Sequence, residues 1–305
     1  MLRQLSIVDG RLVENGDKNA LVHVYIAPDE AERRYLIDQL KIDEHTLNSA
    51  LDPDEQSRLE FEPDHVAIIF KRPRHYSAVD AFLFKVSSTG AFVFKDKLVV
   101  VVADEGPLFE GRPFVRLQGV HDVLLRLIYR SISHFVEHIK AINAISGELE
   151  QQISTSMENR YLLNLFTLEK SLVYYLGAIH TNGVLIAKLK DNATKLGFSQ
   201  DNVELLDDIL IENNQCKYQA EIYVDVLANL MDARASIISN NLNIRIKALT
   251  ILTIIIMLPT LIVSIFSMNV VLPVPHDWPY SFWFIMALCA GITLLVGALW
   301  WKRRW

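Results

Sequence analysis

The chain has 305 residues, of which 51% are hydrophobic and 22% are charged, with a formal net charge of −6 at pH 7. Between Ala248 and Trp301 the only charged side chain is Asp277, which excludes a disordered chain and a protein that is soluble throughout. The negative charge excludes a nucleic-acid-binding protein that relies on bulk positive charge. The only two cysteines, Cys216 and Cys289, lie far apart and exclude a disulfide framework.

Residues 1–115 predict a cytoplasmic domain in which strands and helices are mixed. Six of the ten prolines lie in this region. Short apolar runs that are typical of strands recur at 21–26, 66–70, 82–86, 91–94 and 97–102. Two stretches with helical spacing interrupt these runs, at 29–40 and 43–51. Strands that alternate with helices in this way indicate an α/β or α+β domain of ordinary size.

Long helices are predicted for the next part of the chain, a cytoplasmic region over 116–197. No proline occurs between Phe114 and Leu258, and apolar residues recur there every three or four positions. The candidate breaks between helices are Gly147, Gly177, and Gly183 beside Asn182. Residues 198–258 contain neither glycine nor proline, so a stalk helix over 198–247 would continue into the membrane. If all 61 residues of 198–258 form one helix, it is on the order of 90 Å long at 1.5 Å per residue.

Two uncharged runs, 248–266 and 282–301, are each long enough to cross a hydrocarbon core of about 30 Å as a helix. The loop between them, 267–281, is too short for a domain, so the spans form a transmembrane hairpin. Lysine and arginine occur just before the first span and in the basic tail, 302–305, and the loop between the spans contains neither. The positive-inside rule therefore places both termini in the cytoplasm. We expect an integral protein of a bacterial plasma (inner) membrane.

One face of the first span is polar. Small polar residues and one methionine follow each other at spacings of 3, 4, 3, 4 and 3, in the series Thr250, Thr253, Met257, Thr260, Ser264 and Ser267. These spacings place all six on one side of a helix, and we call them the polar stripe. Exact heptads continue the line into the cytoplasm through Ile246, Ser239, Asp232 and Asp225. Such positions are apolar in a closed coiled coil, so the pattern predicts a bundle around water.

The polar stripe has two interpretations. Serine and threonine often form hydrogen bonds between packed membrane helices, which would give the stripe a purely structural role. The regular repeat over six turns favours a water-filled pore instead. One hairpin cannot enclose a pore, so this interpretation requires a symmetric homo-oligomer.

The stalk is acidic, with eight acidic residues and one base, Lys217, between Asp201 and Asp232. Most of these acids are expected to form a solvated helix face. Asp225 and Asp232 differ because they lie on the line of the polar stripe. Carboxylates are preferred ligands of hard cations such as Mg²⁺. We therefore hypothesise that these two residues bind regulatory divalent cations that hold a closed arrangement.

The first span ends in Ser267, Met268 and Asn269. With the long helix before it and the second span and basic tail after it, this segment resembles the CorA family of divalent-cation channels, which includes the ZntB-type zinc transporters. The family signature is Gly-Met-Asn, so Ser267 stands in place of its glycine. The resemblance implies a funnel-shaped homopentamer whose selectivity filter is formed by these three residues. Together with Thr250 and Thr253 of the polar stripe, it predicts a pore lined by Asn243, Ile246, Leu249, Met257, Thr260 and Ser264.

Three functions are open on this basis. The first is a Mg²⁺ channel with Co²⁺ and Ni²⁺ as companion ions, gated by intracellular divalent cations. The second is a zinc transporter coupled to protons, and the third is a non-conducting membrane-anchored sensor. The sequence contains no Walker A, GxGxxG, HExxH or GxSxG motif, so we expect neither an enzyme nor a cofactor. The expected partners are further copies of the chain, membrane lipid and divalent metal ions, without nucleic acid.

Overall fold

The computed structural model describes residues 1–16, 20–76, 80–110, 114–155, 159–270 and 278–302. The chain divides into two units, Met1–Met231 and Asp232–Trp305. In the first unit, a β-sheet carries one apolar core on each of its faces. The second unit contains the C-terminal part of one long helix and the whole of another.

The strands of the described residues form one mixed sheet. They are β1 (Leu2–Val8), β2 (Arg11–Glu14), β3 (Val22–Ile26), β4 (Arg58–Phe61), β5 (Val66–Pro73), β6 (Val86–Val93) and β7 (Leu98–Val102). Their order is β2-β1-β3-β7-β6-β5-β4, and only β3 and β7 pair in parallel. Both of these strands are buried along their whole length. Continuous apolar runs are typical of such central strands because both faces are covered.

Two short helices cover one face of the sheet, α1 (Glu30–Asp38) and α2 (Glu44–Leu51). Each begins directly after an aspartate whose carboxylate accepts a backbone hydrogen bond, from Glu32 for Asp29 and from Thr46 for Asp43. Such caps satisfy backbone N–H groups that have no partner within the helix. The two helices match the predicted stretches 29–40 and 43–51 and bury Leu36 and Leu47 against the sheet.

The later part of the described chain is mostly helical. It contains four long helices, α3 (Val120–Thr155), α4 (Asn159–Asp191), α6 (Gln200–Phe266) and α7 (Ser281–Lys302), and the single-turn helix α5 (Ala193–Leu196). The predicted helix breaks at Gly147, Gly177 and Gly183 are wrong, because all three glycines lie inside α3 or α4. A glycine in a helix interior costs only about 1 kcal/mol. Packing offsets this cost at Gly183, where a Cβ would lie 2.8 Å from the Asn213 amide nitrogen of α6.

The strand prediction for 82–86 is also wrong, because β6 begins only at Val86. The alternation of Phe82, Phe84 and Val86 has the period of a strand. However, the Phe84 N–H donates a hydrogen bond of 3.0 Å to the Ser171 hydroxyl of α4 rather than to a neighbouring strand. Phe82 and the residue before it have positive φ angles of 69° and 48°. The predicted run 91–94 is the second half of β6, and β1, β2 and β4 were not predicted.

A buried asparagine of α4 completes the hydrogen bonding of β5. The Asn182 side chain is 0% exposed. Its Oδ1 accepts hydrogen bonds of 2.8 Å from the Lys71 N–H and from the Ser57 hydroxyl, and its Nδ2 donates one of 2.8 Å to the Lys71 carbonyl. The paired residues of β4 end at Arg58, opposite Ile69. The carboxamide therefore takes the place of a strand residue beyond the end of β4.

Two histidines of α3 lie half-buried beside α4. Their ring centroids are 4.3 Å apart, and His138 Nδ1 lies 2.7 Å from the hydroxyl oxygen of the fully buried Tyr175. Burial lowers the pKa of His134 to about 3, and repulsion from a protonated His138 and from Arg130 adds to this effect. Burial also lowers the pKa of His138 to about 4. Both imidazoles are therefore neutral in the folded chain at neutral pH.

We expect the first unit to lose stability as the pH falls from 6.5 towards 4. An unfolded histidine has a pKa of about 6.5, so in this range the unfolded chain binds protons that the folded chain does not. The loss is on the order of 1 kcal/mol per pH unit for each histidine. Thermal melts of the full-length chain in detergent would measure it, with a shallower pH dependence for His134→Gln. The exposed His180 provides a control, because His180→Gln should retain the wild-type dependence; identical slopes in all three proteins would contradict the prediction.

In the second unit, α6 and α7 are both long and apolar enough to cross a membrane. Helix α6 continues through Pro259 to Phe266 without interruption. The α7 residue Cys289 is buried, and its Sγ lies 3.9 Å from the Pro259 carbonyl oxygen. The two helices therefore pack against each other close to the proline.

Candidate ion pathway

The polar stripe lies on the face of α6 that points away from α7. All six stripe residues are exposed. The half-buried residues of the same segment recur at helical spacing, at Ile251, Ile255, Leu258, Pro259, Ile262 and Phe266. At 100° per residue, this apolar series lies on the side of the helix opposite the stripe. Packing within the hairpin thus uses apolar side chains and leaves the hydroxyl groups free for another environment.

The threonine hydroxyl groups of the stripe donate their protons within their own helix. Thr250, Thr253 and Thr260 each donate to the carbonyl oxygen four residues earlier, at 2.9, 2.9 and 2.7 Å. A hydroxyl oxygen that donates in this way keeps its lone pairs as acceptors. The exposed face of the stripe therefore presents hydrogen-bond acceptors, which suit the water shell of a hydrated cation.

An open groove of about 490 Å³ runs over the middle of this face. It is lined by the stripe residues Thr253, Met257, Thr260 and Ser264 together with Ile256 and Leu261. The structure thus brings four of the predicted pore residues to one concave surface. Ile256 and Leu261 were not among the predicted residues. Their sequence positions could have indicated them, because Ile256 directly precedes Met257 and Leu261 directly follows Thr260.

The predicted pore positions Asn243, Ile246 and Leu249, which come before the polar stripe, are likewise exposed on α6. Leu249 and Met257 have 64% and 65% of their surface accessible. Large apolar side chains that point to solvent in this way can narrow a pore when several copies surround it. Hydrophobic constrictions of this kind gate a pore by excluding water.

The predicted filter begins where α6 ends. The Ser267 N–H donates to the Val263 carbonyl at 3.0 Å, and the Ser267 hydroxyl donates to the Ser264 carbonyl at 2.9 Å. Ser267 is not among the non-glycine residues with positive φ in the described part of the chain, so this helix end requires no glycine. Met268 and Asn269 follow and are exposed. The loop residues 271–277, with His276 and Asp277, and the tail residues 303–305 lie outside the described residues.

The two predicted metal-binding acids of α6, Asp225 and Asp232, are exposed. Neither carboxylate forms an ion pair within the described residues. The described residues of a single chain also contain no group of three or more histidine, cysteine, aspartate or glutamate side chains that could hold a metal ion. A cation at either aspartate would therefore need further ligands from water or from another copy of the chain.

Comparison with known proteins identifies the family. A family model described as "CorA-like Mg2+ transporter protein" matches residues 22–304. The chain belongs to the CorA family. This confirms the resemblance that rests on the end of the first span. With two helices of membrane-spanning length and composition, this CorA-family chain is an integral membrane protein.

Individual relatives agree with the family assignment. The cobalt/magnesium transport protein CorA of Methanocaldococcus jannaschii is 23% identical over 288 residues, which cover 91% of this chain and 89% of that protein. Its complete structure matches with a TM-score of 0.79 and 20% identity over 99% of this chain and 97% of that one. The corresponding protein of Thermotoga maritima is 21% identical over 269 residues, or 85% of this chain and 75% of that protein.

A cytoplasmic domain of known structure shares part of the fold. The cytoplasmic domain of ZntB from Vibrio parahaemolyticus matches with a TM-score of 0.58 and 13% identity, over 78% of this chain and 98% of that one. At such identities the structural matches show a common CorA-type fold. The predicted fold class is confirmed: an α+β domain is followed by long helices and by two apolar helices of membrane-spanning length.

Proposed function

We propose that this chain is the subunit of a divalent-cation channel that carries hydrated Mg²⁺, with Co²⁺ and Ni²⁺ as further cargo. The proposal rests on the exposed acceptor face of α6, which lies opposite α7 and follows the heptad line of the stalk. Several copies that turn this face inwards would enclose a polar pore. Membership of the CorA family and the transport activities named for its relatives support the transport of divalent cations. We propose that the assembly is a homopentamer with a funnel-shaped cytoplasmic part.

The filter and the stripe would act on the water shell of the ion. Mg²⁺ loses its water reluctantly, so a ring of five neutral Asn269 carboxamides can accept hydrogen bonds from a hydrated ion without removing its shell. The hydroxyl oxygens of the stripe then offer acceptors of the same kind along the pore. Ile246, Leu249 and Met257 would form the apolar constrictions at which the pore closes.

The proposed orientation places both chain termini and residues 1–247 in the cytoplasm, with the spans 248–266 and 282–301 joined by the outer loop 267–281. In this arrangement Asp225 and Asp232 are exposed to intracellular cations. Rings of like charges repel each other unless counter-ions neutralise them. Divalent cations bound near these acids would therefore favour the closed bundle, and their loss would favour an open one.

In Asp232→Asn, the cytoplasmic Mg²⁺ concentration needed for half-inhibition of the current is expected to be about threefold higher or more. The reason is that cation affinity depends on the number of charged ligands. Currents in inside-out membrane patches, with Mg²⁺ titrated on the cytoplasmic face, would measure this shift. Glu221→Gln is the matched control, since Glu221 lies on the same helix but pairs with Lys217 at 3.5 Å. Unchanged inhibition in Asp232→Asn would show that this residue does not bind the regulatory ion.

The proposal is tested by reconstituting the full-length chain in liposomes. Uptake of Mg²⁺, Co²⁺, Ni²⁺ and Zn²⁺ is followed with internal metal-sensitive dyes, and proton entry with an internal pH dye. Native mass spectrometry of the same sample counts the subunits. Mg²⁺ uptake without proton entry by a pentamer would support the channel.

Two other outcomes would favour the alternative functions. Zinc uptake accompanied by proton entry would indicate a ZntB-like transporter, which the fold shared with the ZntB domain accommodates. An intact oligomer that carries none of the four metals would indicate a non-conducting membrane-anchored sensor.

A further inference from the structure

A cavity of about 510 Å³ lies in the first unit, between the ends of β5 and β6 and helix α4. This volume is in the usual range for small-molecule sites, roughly 300–1,000 Å³. Its lining combines apolar side chains such as Leu83 and Val86 with three basic residues, Arg74, Lys85 and Lys170, and with two acidic ones, Asp54 and Asp104. The cavity belongs neither to the pore nor to the proposed regulatory acids.

Backbone pairing and helix geometry bring the basic residues together. The Arg74 N–H donates to the Lys85 carbonyl at 2.9 Å, so these two residues continue the β5–β6 ladder and their side chains are direct neighbours. Lys170 comes from α4, one turn before Tyr174, and its Nζ lies 5.9 Å from the centre of the Tyr174 ring. The hydrogen bond from the Phe84 N–H to Ser171 holds this part of α4 against the start of β6.

The positive charge of the cavity is only partly neutralised by the protein. The Asp104 carboxylate is already engaged by Arg72 at 2.7 Å and by the Ser87 hydroxyl at 2.6 Å. Arg74 Nε lies 3.9 Å from the other Asp104 oxygen, which is too far for a hydrogen bond. Lys170 forms no ion pair within the described residues, and Lys85 reaches Asp80 only at 3.6 Å. Arg74 and Lys170 therefore remain available to an anion.

The cavity also offers an aromatic surface next to this charge. The Tyr174 side chain is 55% exposed, so its ring is open to a planar group. The lining residue Leu83 follows directly on Ala81 and Phe82, whose positive φ angles are costly for residues other than glycine. Such backbone strain persists where the surrounding structure enforces it and is frequent around ligand sites.

We propose that this cavity binds a nucleotide, with its phosphates at Arg74, Lys85 and Lys170 and its base against Tyr174. Guanidinium and ammonium groups are the usual protein partners of phosphate oxygens. A molecule that carries both phosphate and a flat heterocycle would contact the basic side chains and the Tyr174 ring and would fill the cavity. Inorganic phosphate would contact only the basic side chains.

Isothermal titration of the full-length chain in detergent with ADP tests the proposal. The buffer contains a chelator and no divalent metal, so the proposed pore and regulatory sites do not contribute to the heat. We expect saturable binding that weakens about tenfold or more in Lys170→Met and in Arg74→Gln, because each removes a charge-assisted hydrogen bond. Tyr174→Leu should weaken ADP binding but leave any binding of inorganic phosphate unchanged.

Lys188→Met is the matched control, because Lys188 is an exposed lysine of the same helix outside the cavity. It should bind ADP like the wild type, and all variants should melt at the wild-type temperature. Absence of ADP binding at millimolar concentration would overturn the proposal. Binding that is equally strong in Lys170→Met and Arg74→Gln, or ADP binding no tighter than that of inorganic phosphate, would overturn it as well.

Discussion

Asn269→Ala is expected to lower Mg²⁺ uptake into liposomes by at least about tenfold, since it removes from every subunit a neutral acceptor for the hydrogen bonds of the ion's water shell. The structure leaves this side chain exposed three residues after the end of α6. The adjoining turn is closed by backbone bonds from Ser267 and Met268. Because none of these bonds involves the Asn269 carboxamide, its removal should affect conduction and spare the helix end.

Asn240→Ala provides the control for this experiment. Asn240 is an exposed asparagine of α6 outside the polar stripe, so this variant also exchanges an exposed carboxamide for a methyl group. The Asn240→Ala protein should assemble and conduct like the wild type. Full uptake by Asn269→Ala in an intact oligomer would show that the outer carboxamide is not the filter, and equal losses in both variants would show that the effect is not specific to this position.

Asn182→Ala is expected to destabilise the first unit by about 3 kcal/mol. The substitution leaves the buried N–H and carbonyl of Lys71 without partners, and each unpaired buried group costs roughly 1–3 kcal/mol. It also removes the acceptor of the Ser57 hydroxyl. For a unit of this size, the expected fall in Tm is roughly 6–12 °C, measured by circular dichroism in the full-length chain.

Asn192→Ala is the appropriate comparison for Asn182→Ala. The Asn192 amide also donates to a backbone carbonyl, that of Lys188 at 2.8 Å, but this bond is exposed to solvent. Water can replace it, so the change in stability should stay within about 0.5 kcal/mol. A similar Tm for both variants would mean that the carboxamide of Asn182 does not support the end of β5.

The helices and the central strands could be predicted because their signals are local. The capping aspartates Asp29 and Asp43 mark the starts of α1 and α2, and continuous apolar runs mark β3 and β7. The strands β1, β2 and β4 were missed because they are only partly buried, and the two edge strands β2 and β4 are also short. Gly183 misled the helix prediction because its role is set by Asn213, which lies 30 residues away in the sequence.

The candidate sites also differ in whether their residues are close in the sequence or are brought together only by the fold. The polar stripe could be predicted because all of its members lie on one helix and share one period. The basic cavity could not, because Arg74 and Lys170 come together only through the pairing of β5 with β6 and the packing of α4. Asp225, Asp232 and Asn269 would form rings only around the axis of the proposed oligomer. Their arrangement therefore depends on contacts between copies of the chain, which the pattern of one sequence does not specify.

The hydrogen bonds of the threonine hydroxyls have a consequence for proton movement. A relay of protons along a line of hydroxyl groups requires each group to donate to the next one and accept from the one before. In α6 the protons of Thr250, Thr253 and Thr260 are held by backbone carbonyls instead. Each of these bonds would have to break before a proton could hop along this face. Water bound to a cation can donate to the same oxygen atoms without breaking any of these bonds, so the proposed pore would favour the passage of hydrated metal over the conduction of protons.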